Sequence, residues 1–166
     1  MVVVTSAHTD ADTDVDKLRK ALAAEHAAVF AYGLLAARTS GAVRQRMSAA
    51  YESHRAQRDR LRTLITARGG QPAEPDASYA LPFFPSNAEL AVKLAVQLEN
   101  GVAAAYLELV AAQDPKVRES AALAMQEAVT RAYTFRPDPP TAFPGMPATA
   151  TSPTASPSGG PAGAGG

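Results

Sequence analysis

Glu25, His54, Glu99 and Glu127 are the residues of this chain whose types and spacing could do chemistry. Glu25 follows Leu22 by three positions and precedes Val29 by four, so a carboxylate interrupts an apolar stripe of helical period. His54 stands in series with Met47, Ala50, Gln57 and Leu61, and Glu99 precedes Ala103 by four and Tyr106 by seven. A buried carboxylate without a partner is costly, so each of these groups needs a counter-charge, a hydrogen-bond donor or a metal. Carboxylate and imidazole together suit iron, manganese or zinc. There is no cysteine, which excludes disulfides, thiolate catalysis, iron–sulfur clusters and Cys-ligated zinc. No Ser/His/Asp arrangement has a supporting local context. Glu127 lies on a helix with a poorly defined stripe and reads equally well as surface charge, as Glu119 does. His26 points about 100° away from Glu25 and reads as peripheral. Tyr32 and Tyr106 read as core residues.

The elements that must position these groups are helices. The chain has 166 residues, 46% apolar and 19% charged, which suits one folded domain rich in alanine and poor in aromatics. Thr13 is a candidate N-cap, with Asp14 and Asp16 at the positive end of the helix dipole. Helix 1 then carries Val15, Leu18, Leu22, Val29, Tyr32 and Ala36 at bundle spacing and ends near Arg38. Helix 2 spans about 42–68 and stops at Gly69-Gly70. Ser86-Asn87-Ala88-Glu89 is a capping-box pattern opening helix 3, which runs to about Gln113. Asp114-Pro115 opens helix 4, about 116–133. Residues 1–13 read as an N-terminal arm and 14–135 as the bundle. Residues 136–166, rich in Pro, Ala, Thr, Ser and Gly, read as a disordered tail in which Phe143-Pro144-Gly145-Met146 is the stretch apt to dock locally.

The links predict topology. Short turns join helices 1–2 and 3–4, so each pair is antiparallel. The proline-bearing link 71–85 extends roughly 50 Å, enough to cross a helix of roughly 40 Å. That is the long connection of a ferritin-like bundle. Glu25 is 15 residues before Ser40 and His54 is 14 after it, so the two groups face each other across the first turn. Glu99 and Glu127 lie at nearly equal distances from the second turn. All four fall at mid-bundle, although any residue halfway along a helix does so.

Other function classes draw less support. Formal net charge is zero and the pI is near neutral, so the chain as a whole gives no pull toward nucleic acid or anionic membrane. Arg55, Arg58 and Arg62 form a stripe that could bind an anion or RNA, but a salt-bridged, solvated face is the commoner explanation. Residues 1–5 lack a basic start and a long apolar stretch, and the run 27–37 is too short to span a bilayer. A cytoplasmic location is the default expectation.

The segment Glu25-His26-Ala27-Ala28-Val29-Phe30-Ala31-Tyr32 resembles the first-helix motif of ferritin-like proteins. His54-Arg55-x-x-Arg58-Asp59, Ala80-Leu81-Pro82-Phe83, Leu98-Glu99-x-x-Val102-Ala103-Ala104-Ala105-Tyr106 and Phe143-Pro144-Gly145 extend the likeness. Together they are similar to a ferritin-like domain family of high-GC bacteria, over about residues 15–147. The wider superfamily implies a carboxylate-bridged di-metal centre: Glu on helix 1, Glu-x-x-His on helix 2, Glu on helix 3 and Glu-x-x-His on helix 4. Glu25 and Glu99 match that pattern. Helix 2 has Tyr51-x-x-His54 and helix 4 has Glu127-x-x-Thr130, so a bridging Glu and a His are replaced. The resemblance thus implies a reduced site for one metal ion, or two held weakly. The competing expectation is a metal-free bundle, with Glu25–His54 as a structural pair, acting as a homodimerising or partner-binding module.

Overall fold

The computed structural model of the chain describes residues 6–137, without the side chains of 6–12. Four helices account for most of it: α1 (Ser6–Arg38), α2 (Gly41–Ala67), α3 (Ala88–Leu109) and α4 (Pro115–Phe135). No strand occurs among the described residues. The helix α1 begins at Ser6, so Thr13 lies within it rather than capping it. Nothing before Thr13 breaks the helix: residues 6–12 contain no proline or glycine. The expected tail from 138 onward lies outside the described residues.

Side-chain pairings set the helix directions. Lys17 reaches the Ala111 carbonyl at 2.9 Å, Lys20 pairs with Glu108 at 2.9 Å and Tyr32 bonds Glu99 at 2.6 Å. Residue numbers rise on α1 as they fall on α3, so these helices are antiparallel. Arg46 with Thr134, Ser53 with Arg131 and Gln57 with Glu127 make α2 and α4 antiparallel too. With a tight turn between α1 and α2, α2 and α3 must run parallel. A full-length crossover is therefore required, as the link length implied.

The crossover is tied to α1 along its course. Arg19 donates to the Gln71 carbonyl, His26 Nε2 to the Ala73 carbonyl at 3.0 Å, Phe30 meets the Tyr79 ring, and Arg38 covers the Phe84 ring. His26 is 5% exposed, so it is not peripheral: the strap buries it and accepts its hydrogen bond. From sequence alone the strap that covers this face cannot be placed.

Local chemistry ends each helix as the physics requires. At the end of α2, Gly69 takes φ 75°, and the amides of Gly69 and Gly70 return to the carbonyls of Thr66 and Ile65. A Cβ on Gly70 would lie 2.8 Å from Val15 Cγ1, so glycine also lets α1 approach. Asn87, rather than Ser86, caps α3 by accepting from the Leu90 amide at 2.8 Å. Asp114 caps α4 by accepting from Lys116, with Pro115 in the first turn. The buried face of α4 is Val117, Ala121, Ala124, Ala128 and Phe135. Alanine there brings α4 close to α3 and explains the faint stripe in the sequence.

Because α1 begins at Ser6, Asp14 lies more than two turns inside it and not at the positive end of the helix dipole as expected. It is 3% exposed and accepts from the amides of Gln113 and Asp114 at 2.8–3.0 Å, pinning the α3–α4 link to α1. Asp14→Ala strands both amides, and urea unfolding should show a loss of roughly 1–3 kcal/mol. A change within about 0.5 kcal/mol, the usual range for surface substitutions, would contradict this role.

Candidate functional site

At mid-bundle α1, α2 and α3 bring Glu25, His54 and Glu99 together, each fully buried. His54 Nδ1 donates to Glu25 Oε2 at 2.7 Å and Nε2 to Glu99 Oε1 at 3.1 Å. Both ring nitrogens face carboxylate oxygen, so the ring is an imidazolium. The Tyr106 hydroxyl donates to Glu25 Oε1 at 2.7 Å, and the Tyr32 hydroxyl to Glu99 Oε1 at 2.6 Å. Tyr32 also stacks on the His54 ring, with centroids 5.1 Å apart, and is covered in turn by Phe135.

The fourth helix sends a cation. Arg131 Nε donates to Glu99 Oε1 at 3.1 Å and Nη1 to Ser53 Oγ at 3.1 Å, with 18% of the side chain exposed. Glu127, one turn earlier, stays outside the cluster. Its side chain is 53% exposed, takes a hydrogen bond from Gln57 at 3.1 Å and lies 3.8 Å from Arg131. Formal charges at the centre therefore balance: two carboxylates against an imidazolium and a guanidinium.

The electrostatics follow. Burial pushes the His54 pKa down, but the bonds to Glu25 and Glu99 outweigh it and hold the value at about 9. Burial raises Glu99, while His54, Arg131 and Tyr32 together bring it below the ordinary carboxylate value. Burial first, then the adjacent carboxylates, hold Tyr32 and Tyr106 well above an ordinary phenol, so both remain donors.

Over residues 17–148 the chain matches the family described as Domain of unknown function (DUF4439). The chain belongs to that family. It is also similar to a solved structure, that of a conserved hypothetical protein, Rv2844, from Mycobacterium tuberculosis. Identity is 32%, the match covers 76% of this chain and 96% of that one, and the TM-score is 0.73. No curated protein matches.

In this DUF4439 domain the expected ligands are already engaged with one another. A metal needs a ring-nitrogen lone pair, and both His54 nitrogens face carboxylate oxygens at hydrogen-bond distance. Three donors occupy Glu99 Oε1, and both Glu25 oxygens are bonded. Tyr51 packs beside Gly33, and Thr130 bonds the Gln126 carbonyl of its own helix, so neither stands in for a missing ligand. Among the described residues no group of three His, Cys, Asp or Glu side chains could hold a metal. As arranged, the residues do not fit one. The arginine stripe is also engaged: Arg55 pairs with Glu52, Arg58 with Asp59 and Arg62 with Glu74.

Sequence reasoning missed Arg131, and only its spacing of four from Glu127 on α4 pointed to it.

Two outcomes are expected. Arg131→Met should destabilise the fold by roughly 3–5 kcal/mol, because Glu99 loses its guanidinium. Glu127→Gln should change stability by less than about 0.5 kcal/mol. Equal losses in chemical denaturation would place both side chains wrongly.

The second outcome concerns pH. The His54 pKa is raised, from 6.5 to about 9, so its contribution is complete below about 6.5 and lost as pH rises through about 9. Glu99 is depressed, so its contribution holds above the ordinary glutamate range and is lost as pH falls. Thermal melts should decline from pH 6.5 to 9, with a shallower decline in His54→Gln. Identical profiles for the two proteins would refute the imidazolium.

Proposed function

We propose that this chain is a metal-independent helical module that acts by binding, through a second copy of itself or a protein partner, rather than by catalysis. One observation carries this reading: at the centre, where a metal would take its ligands, an imidazolium and the Arg131 guanidinium already neutralise Glu25 and Glu99. The centre is closed by bonds among its own side chains, which leaves the outer surface as the place to act. On α4 the exposed Leu123 lines a shallow depression with Gln126, Glu127, Thr130 and Arg131, and that face suits self-association. No helix among the described residues is long and apolar enough to cross a membrane.

The helix order and the crossover support kinship with ferritin-like bundles. A second reading, a single iron, manganese or zinc ion, rests on Glu99 Oε2, which is buried and accepts no hydrogen bond. An ion there would have to displace Arg131 and deprotonate His54.

Native mass spectrometry of protein purified without chelator separates the readings. The expected species is a dimer at the mass of the polypeptide alone. One metal per subunit, lost in His54→Ala, would overturn the metal-free reading, and a monomer at all concentrations would remove the dimer.

A further inference from the structure

The solvent side of α4 carries an order that its core side lacks. Val117, Ala121, Ala124, Ala128 and Phe135 face inward. On the opposite side Glu119, Leu123, Gln126, Thr130 and Tyr133 are all exposed and recur at intervals of four, three, four and three. That is the seam spacing of two helices wound on each other. Four large apolar side chains are exposed among the described residues. Two are covered within the chain: Phe30 leans on Tyr79 and Phe84 carries Arg38. The other two, Leu123 at 55% and Tyr133 at 52%, both belong to this seam.

The seam is also self-complementary. Setting Leu123 against Tyr133 of an antiparallel second copy sets Gln126 against Thr130 as well, and a two-fold axis makes both pairs twice. Thr130 Oγ1 donates to the Gln126 carbonyl of its own helix at 2.9 Å, so its lone pairs are open to the Gln126 amide of the second copy. Glu119 then comes beside the end of α4 that carries Arg136 of the second copy. Both side chains are exposed, and neither forms an ion pair among the described residues. Parallel pairing would put Glu119 against Glu119.

We propose that a second copy of this chain packs antiparallel on α4, with its Tyr133 seated in the depression lined by Leu123, Gln126, Glu127, Thr130 and Arg131. This pairing presupposes that the chain is a self-associating module, and it fixes the surface and the register. The depression holds about 390 Å³, enough for a phenol ring. Helical side chains lean toward their own N-terminus, so Tyr133 of the second copy leans from Leu123 toward Glu127. Its ring covers Leu123, and its hydroxyl comes within reach of the Glu127 carboxylate. That carboxylate is bonded to Gln57 and stands 3.8 Å from Arg131, so across the two-fold axis it meets its copy as half of an ion pair rather than as bare charge. The docked copy also covers Arg131, whose side chain is 18% exposed at the rim of the central network. The helix α4 has 21 residues and is roughly 30 Å long. One such pair buries an area at the low end of specific interfaces, so the dimer is reversible, with a Kd on the order of micromolar.

Sedimentation equilibrium of the full chain should show this dimer, weakened at least about tenfold by Leu123→Glu and likewise by Tyr133→Lys. Thermal melts in dilute solution should not change, because neither side chain supports the core. Mixing the two variants tests the register. Antiparallel pairing gives the mixed dimer one pair of opposite charges and one native Leu123–Tyr133 pair, so association should recover in the mixture but in neither variant alone. Parallel pairing would give it neither, so a mixture as weak as its components would overturn the proposed register. A dimer indifferent to both substitutions would overturn the interface while leaving self-association standing. Wild-type protein that stays monomeric at all concentrations would remove both.

Discussion

The centre of this bundle is governed by one constraint: two carboxylates lie where water does not reach, and each must be neutralised by groups the fold itself supplies. Glu25 and Glu99 come from different helices, the imidazolium between them comes from a third and the guanidinium from the fourth. Sliding α1 against α2, α2 against α3, or α3 against α4 would therefore separate opposite charges in a dry interior. Replacing such a set with well-packed apolar residues is often neutral or better for stability, whereas removing one member is expensive. The physical effect of the network is thus to fix register and helix order more than to add net stability.

That requirement reaches outward to the fold. His54 meets Glu99 only if α2 and α3 are held at matching heights, and since they run parallel the connection between them must travel the length of the bundle. The strap does so, and its path is fixed by Arg19, His26, Phe30 and Arg38 on α1. Asp14 performs the equivalent task at the α3–α4 link. Residues far apart in sequence, with no part in the central network, thereby hold its four contributors at one level.

Much of this was legible in the sequence, for identifiable reasons. Glu25, His54 and Glu99 break stripes of strong helical period, and charge in such a stripe announces itself. The turns at Gly69-Gly70 and Asp114-Pro115 carry unambiguous backbone chemistry. What could not be read depends on tertiary contact. The buried side of α4 is mostly alanine, so nothing in its pattern tells inside from outside, and Glu127 and Arg131 were equally placed to point inward. A long guanidinium can enter a core from the rim while keeping its stem near solvent, which periodicity does not detect. His26 and Asp14 were misjudged because their partners, a strap carbonyl and two link amides, lie on segments that have no period at all.

The roles of Glu127 and Arg131 also explain how two carboxylates can be held in a dry interior. A bundle that buries Glu25 and Glu99 at its centre with one imidazolium between them has negative charge left over in its interior. A guanidinium is suited to absorb it: it cannot be deprotonated in a protein, and its planar donors reach two acceptors at once. Arg131 does this with Glu99 and Ser53, and Glu127 flanks it from the solvent side at 3.8 Å. The helix-4 carboxylate is turned outward to steady the cation that occupies the interior. The quantity satisfied at the centre is charge balance, and at neutral pH the protonated His54 and Arg131 meet it.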